Sequence, residues 1–223
     1  MTQTDYPELR RIMIKIIDAY AQASREATGL GKFGSKLMSV MADVPRHEFV
    51  PEEIMDYAYA DQPLPIGYEK TTSQPFIIAL MLELLDIQPE DTVLEVGTGL
   101  GYQAGIMSRL ASRIYTMEII AELASDATQR LARLDFDNVE VRLGNGYYGL
   151  AEHAPFDKIV VAAAPERVPP TLIEQLRPGG RMVVPLGRAG EEQQLVSISK
   201  DFDGEVDMEN KLAVAFAPLV MVH

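Results

Sequence analysis

The chain has no cysteine, only three histidines, and fewer basic than acidic residues. Without thiols there is no disulfide framework, no thiol nucleophile and no thiolate site for zinc or an iron–sulfur cluster. The 20 Lys/Arg set against 33 Asp/Glu leave a formal charge of −13 and a pI near 4.7. A field of that sign repels polyphosphate and argues against nucleic acid as a partner. No apolar run approaches the roughly 20 residues needed to span a bilayer, so no membrane association is expected. The first residues, Met1-Thr2-Gln3-Thr4-Asp5, lack the basic and apolar stretches of a signal peptide, and the expectation is a cytoplasmic protein. The 223 residues, 47% hydrophobic and 24% charged, suffice for one large domain with an appendage.

Hydrophobic periodicity supplies the elements. Leu9, Ile12, Met13, Ile16, Ile17 and Tyr20 form one apolar stripe, predicting a helix over 7–28 that Gly29-Leu30-Gly31 stops. A second short helix around Leu37–Met41 ends near Pro45. The predicted division is a helical extension at 1–45 and a main domain at 46–223, with the stripe packed on the same chain. Gly67 to Pro75 reads as a loop leading into a helix that carries Ile77, Leu80, Met81, Leu84 and Leu85. Strands are predicted at Val93–Val96, Arg113–Met117, Val139–Leu143 and Phe156–Ala163, alternating with helices at about Tyr102–Ala111 and Ala121–Leu134. A helix near Pro170–Leu176 ends at Gly179-Gly180, and a strand follows at Arg181–Pro185. Leu195–Ser199 and Leu212–Phe216, around the turn at Asp201–Gly204, are expected to run antiparallel. This alternation predicts an α/β fold: a doubly wound, mostly parallel, Rossmann-like sheet with antiparallel C-terminal strands.

The chemistry concentrates where the first of these strands becomes a helix, at Glu95-Val96-Gly97-Thr98-Gly99-Leu100-Gly101. Ligands of open α/β sheets bind at the carboxyl ends of the strands, where the strand order reverses. Dinucleotide sites read G-x-G-x-x-G, the last glycine admitting a pyrophosphate to the helix N-terminus. Here the spacing is G-x-G-x-G, with Tyr102 and Gln103 where the later glycine would fall. Glu95 is a poor neighbour for two phosphates and a good one for an ammonium. Glu118 closes the next strand, placed to accept from two ribose hydroxyls. The set suits S-adenosylmethionine (AdoMet), which carries an amino acid, a sulfonium and a ribose but no phosphate. The spacing disfavours an NAD(P)-dependent oxidoreductase. Gly144-Asn145-Gly146 follows the third strand, and two readings stand: an adenine contact through the Asn145 carbonyl, or a plain Asn-Gly turn.

Between about Val40 and Leu219 the chain resembles the protein-L-isoaspartate O-methyltransferase family, carboxyl methyltransferases that begin the repair of isomerised aspartates. The likeness rests on Val44-Pro45-Arg46-His47-Glu48-Phe49-Val50, Leu64-Pro65-Ile66-Gly67, Thr71-Thr72-Ser73-Gln74-Pro75, the glycine turn, Ala162-Ala163-Ala164-Pro165 and Phe216-Ala217-Pro218-Leu219. The resemblance implies AdoMet as cofactor and isoaspartyl proteins or peptides as partners. It makes Ser73 the active-site serine, with Thr71 and Thr72 beside the substrate. It assigns Glu95, Gly97, Thr98, Gly99 and Gly101 to the AdoMet loop, Glu118 to the ribose, and Asn145 and Gly146 to the adenine side. It also implies that the methyl ester collapses to a succinimide, which reopens partly to normal aspartate, and that the last strands are rearranged relative to most AdoMet methyltransferases.

Three positions depart from the family pattern: Glu69 replaces a second glycine and Lys70 follows it, Asn145 replaces an Asp, and Ala215 replaces a larger or basic residue. Competing readings are an AdoMet enzyme with a different carboxylate or small-molecule acceptor, and a member that binds AdoMet without turnover. Spacing alone leaves Ser73 a second role as helix N-cap before Pro75, and leaves Lys70 either a substrate partner or an exposed loop lysine. His47, His153 and His223 suggest no catalytic pair and no metal site. The sequence leaves the oligomeric state open.

Overall fold

A computed structural model describes residues 4–220. Asp5 accepts from Glu8 N at 3.1 Å and caps α1 (Tyr6–Ala23), with Pro7 in the first turn. The single predicted helix over 7–28 is interrupted at Ser24 and resumes as α2 (Arg25–Thr28), closed by Gly29 at φ 76°. Side-chain hydroxyls compete with the helix ladder at this break: Thr28 Oγ1 bonds back to Ser24 O at 3.0 Å. After α3 (Ser35–Asp43), a two-strand hairpin of β1 (Pro65–Gly67) and β2 (Lys70–Thr71) leads to α4 (Pro75–Leu85). Met13, Ile17 and Ala21 of α1 join Met41, Leu80 and Met81 in one buried cluster, so the N-terminal stripe packs on its own chain.

The main sheet contains β3 (Thr92–Val96), β4 (Arg113–Glu118), β5 (Val139–Leu143), β6 (Phe156–Val161), β7 (Leu176–Leu186), β8 (Gln193–Lys200) and β9 (Val206–Val214). Their spatial order is β5-β4-β3-β6-β7-β8-β9; the pairs up to β7 are parallel, and β7–β8 and β8–β9 are antiparallel. Successive side chains on a strand face opposite ways, and here both faces are covered. Val93, Val160 and Val183 lie in the cluster with α4, α5 (Tyr102–Ser108) and α6 (Ala121–Arg133). Their neighbours Leu94, Ile159, Val161, Met182 and Val184 lie in the other, with Leu172 of α7 (Pro170–Gln175). Continuous apolar strands are the sequence consequence of that two-sided burial. The order reverses between β3 and β6, and open α/β sheets bind their ligands at such a switch point.

Three further segments differ from the sequence expectation. The stretch after Gly67 forms a hairpin rather than a plain loop; its turn residues Tyr68 and Glu69 adopt φ 52° and 56° without the Asn-Gly signal such turns usually carry. β7 begins at Leu176 rather than Arg181, and its pairing with β6 is irregular between Phe156 and Lys158, where glycines blur the strand pattern. β9 begins at Val206 rather than Leu212; its first half is an exposed edge in which Val206 and Met208 alternate with Asp207 and Glu209 for only two pairs before Asn210 and Lys211 break the pattern. Among the described residues no helix is long and apolar enough to cross a membrane.

Candidate active site

Five residues separate Val96, the end of β3, from Tyr102, the start of α5. The reversal is made with Gly97, Gly99 and Gly101 at φ 98°, 53° and 86°, backbone that L side chains rarely adopt. Gly97 N and Thr98 N both donate to Met117 O, at 2.8 and 3.2 Å, which ties the turn to the end of β4. Thr116 donates to Glu95 Oε2 and takes a hydrogen bond from Thr98 at 2.6 Å, so the Thr98 hydroxyl serves the carboxylate network. Glu95 is fully buried, and its Oε1 has no hydrogen-bond partner among the described residues. Burial pushes its carboxyl up to about 8; the Thr116 hydroxyl opposes that, the charge of Glu118 adds to it, and Gln103 opposes it. Burial thus favours the protonated form of this group, which stands beside an open volume.

Glu118, at the end of β4, is held by backbone donors: Gly99 N to Oε2 at 2.9 Å, and Ile119 N and Ile120 N to Oε1 at 2.9 and 3.1 Å. Its orientation is fixed, and of about four acceptor sites on a carboxylate three are in use. Asn145 Oδ1 accepts from Tyr147 N at 3.0 Å and caps a 3-10 turn at Gly146–Tyr148, the geometry of the plain-turn reading. Gly146 has a packing reason of its own, since a Cβ there would stand 2.3 Å from Val96 Cγ1.

Together these loops bound a solvent-open cavity with about 970 Å³ of empty volume. Every predicted site residue lines it except Gly101, which turns away to α6, where a Cβ would meet Leu131 Cδ1 at 3.2 Å. Gly101 therefore shapes the loop from outside the cavity. Glu118 presents a carboxylate and Glu95 a buried carboxyl, Ile66, Leu100 and Leu123 present apolar surface, and nothing basic at the glycine turn offers a phosphate a partner. Charge, burial and the orphaned Glu95 oxygen fit a cationic amino-acid nucleoside such as AdoMet.

The opposite side of the cavity is assembled from distant segments. β1 and β2 bring Thr71, Thr72 and Ser73 over the cavity; Thr72 N bonds Leu64 O at 2.8 Å, and Thr72 Oγ1 accepts from Leu64 N at 3.1 Å. Thr72 is thereby a framework residue of the hairpin. The Ser73 hydroxyl makes no hydrogen bond among the described residues. The capping role that spacing allowed for it belongs to Asp61, which accepts from Phe76 N at 2.8 Å and from Gln74 Nε2 at 2.7 Å. A second groove, floored by Ala213–Ala217, meets the cavity at a shared wall of Thr71–Ser73, Ala162 and Ala217. The C-terminal segment is pinned there: Ala164 N donates to Ala217 O and Leu219 N to Ala164 O, both at 2.8 Å. Lys70 lines the cavity, while Glu69 points to solvent.

Neither described histidine enters the site. His47 stacks on Tyr6 at 3.9 Å and meets Tyr59 OH at 2.7 Å, and His153 stacks on Tyr115 at 4.1 Å. His223 lies outside the described residues. No group of three or more His, Asp or Glu among the described residues is arranged to hold a metal ion. Two cavity residues escaped the sequence reading as site residues. Gln103 is buried beside Glu95 with neither amide atom hydrogen-bonded among the described residues, and Arg46 is buried behind Ser73. Both stood in the quoted motifs, but nothing in the spacing set them apart.

A profile of the protein-L-isoaspartate(D-aspartate) O-methyltransferase family matches residues 28–223. Two proteins of Polaromonas sp. are similar. Protein-L-isoaspartate O-methyltransferase 1 is 49% identical over 219 residues, covering 98% of this chain and 92% of its own. Protein-L-isoaspartate O-methyltransferase 2 is 51% identical over 207 residues, covering 93% and 98%. A solved protein-L-isoaspartate O-methyltransferase superposes with a TM-score of 0.81 at 28% identity, over 94% of this chain and 65% of that one, so this chain spans about two thirds of its length.

Proposed function

Because the chain belongs to the protein-L-isoaspartate(D-aspartate) O-methyltransferase family, we propose that its switch-point cavity and the groove beside it carry AdoMet-dependent methylation of L-isoaspartyl carboxylates in peptides and proteins, with Ser73 as the acceptor-orienting residue. The observation that carries the assignment is the position of Ser73. Its hydroxyl, unengaged among the described residues, stands at the wall between a cavity suited to a cationic nucleoside and the adjoining groove over Ala213–Ala217.

When bound, AdoMet supplies a methyl group on a sulfonium. The acceptor, a carboxylate with a pKa near 4, is ionised at neutral pH and needs no general base, and neither His47 nor His153 lines the cavity. What remains for the protein is alignment and exclusion of water. Ser73 donates its hydroxyl to one carboxylate oxygen and leaves the other facing the methyl group, and alignment of this kind contributes roughly 7–11 kcal/mol in favourable cases. Ile66 and Leu100 keep the path apolar. Glu95 surrenders its proton to solvent and takes the ammonium of the methionine moiety. Glu118, with about one lone pair unengaged, holds the ribose through a shared oxygen or by releasing a backbone donor. Gly97, Thr98, Gly99 and Gly101 set the loop, and Asn145 and Gly146 border the adenine. Thr71 and Thr72 form the backbone rail for the peptide.

A different acceptor finds no support among relatives at 49–51% identity that share one assignment. The test is turnover on an isoaspartyl peptide against its normal aspartyl isomer, following release of S-adenosylhomocysteine. Methylation of the isoaspartyl form alone is expected; equal methylation of both, or of neither, would overturn the reading.

A further inference from the structure

Arg46 is the least accountable charge in the molecule. It sits in a 3-10 turn (Arg46–Glu48), is 1% exposed, and has no ion-pair partner among the described residues. Two of its nitrogens, Nε and Nη1, have no hydrogen-bond partner there either. Burial pushes the guanidinium down from its ordinary value, with Tyr102, Asp61 and Tyr59 opposing, yet an arginine side chain keeps its charge in a protein. Leaving such a charge buried without a carboxylate is costly, so a reason for keeping it must lie in what it touches.

It touches both halves of the site. Nη2 donates to Thr72 Oγ1 at 2.9 Å and to the Ser73 carbonyl at 3.0 Å. The guanidinium lies over the Tyr102 ring, Cζ 4.7 Å from the centroid, and Tyr102 is the first residue of α5, directly after the glycine turn. Face-on stacking combined with donation from the edge is what a planar guanidinium offers; an ammonium keeps the charge and loses both.

We propose that Arg46 is a positioning residue for methyl transfer, a clamp that holds the Thr72–Ser73 segment in register with the donor loop through Tyr102. The inference rests on the isoaspartyl methyltransferase reading and adds a residue to it. In-line displacement tolerates little misplacement, and an error of about 1 Å at the reacting atoms costs on the order of 100-fold. The buried positive charge also suits an arriving carboxylate.

The test measures kcat and KM for an isoaspartyl peptide, and AdoMet Kd by calorimetry, for Arg46→Lys, Arg46→Met and Thr72→Val, each well below its own Tm. Arg46→Lys is expected to lose about 10- to 100-fold in kcat, the effect of losing charge-assisted hydrogen bonds, with AdoMet Kd within about threefold of the wild type. Arg46→Met loses more, and Thr72→Val, which removes one acceptor and keeps the guanidinium, loses less. A lowered Tm with unaltered kcat in Arg46→Lys would make the arginine merely structural and overturn the proposal, as would a parallel collapse of AdoMet binding. If Arg46→Met fails to fold, the other two variants decide. A wild-type chain inactive on the isoaspartyl peptide removes both readings, whereas wild-type turnover with undiminished Arg46→Lys removes only this one.

Discussion

The two halves of the site are built in opposite ways. The donor half is local and preset: within 24 residues, from Glu95 to Glu118, one strand, one glycine turn, one helix and the next strand supply its principal polar groups. The Glu118 carboxylate is held by three backbone N–H groups, and Glu95 is locked by Thr116. The acceptor half draws on the turn at Arg46, the hairpin at 65–71, Ser73 and the segment 213–219, and its key hydroxyl is unengaged. It also holds adjacent non-glycine residues at positive φ, Tyr68 and Glu69. The contrast matches the proposed division of labour, rigidity where a constant cofactor would bind and looser assembly where varied peptides would enter. Arg46 contacts both halves.

Variants that separate the halves sharpen the comparison. The largest effect is expected from Ser73→Ala, which removes only the acceptor donor. Steady-state assays should show kcat down about 100-fold, as for loss of one donor aimed at a reacting oxyanion, with AdoMet affinity unmoved. Glu95→Gln strikes the other half and should weaken AdoMet binding about tenfold by calorimetry. It also removes a pH dependence. Burial raises Glu95 to about 8 in the free fold against 4.5 for an ordinary glutamate, so the folded state binds the extra proton between those values. Free wild-type stability therefore falls as pH rises through that window, and Glu95→Gln flattens the fall. AdoMet, by selecting the ionised acid, binds more tightly as pH climbs toward 8, and calorimetry from about pH 6 to 9 should show this only in the wild type.

Gly146→Ala tests the tightness of the donor half. The collision with Val96 should cost about 1–3 kcal/mol, seen as a Tm lowered by roughly 2–12 °C. The smallest effect is the reverse one in the acceptor half. Replacing Tyr68-Glu69 by Asn-Gly relieves the left-handed turn and should raise Tm by about 2–4 °C, leaving AdoMet affinity unaltered.

The same contrast decided what could be read from the sequence. The strand–turn–helix around Gly97 and the acid closing the next strand are neighbours in the chain, so spacing alone pointed to a phosphate-free nucleoside. Gly101 shows the limit: its place in the motif suggested ligand contact, whereas its left-handed turn and its closeness to Leu131 explain it. On the acceptor side spacing left Ser73 divided between capping and catalysis, and the resemblance to a family tipped it. The decisive fact, that Asp61 already caps α4, is a contact across 15 residues with no sequence signature. Arg46 was hidden for the same reason, since a basic residue in a polar-looking turn gives no sign of burial. The edge strand β9 escaped because solvent, not core, faces its first half.

The central claim is that Glu95 governs donor binding, Ser73 governs transfer, and the two act separately. The most direct test is the double variant Ser73→Ala/Glu95→Gln, with AdoMet Kd and single-turnover methylation of an isoaspartyl peptide measured at saturating AdoMet beside each single variant. The account predicts a Kd equal to that of Glu95→Gln and a transfer rate equal to that of Ser73→Ala, each within about twofold. A Kd already weakened in Ser73→Ala, or a transfer rate unchanged by it, would contradict the account.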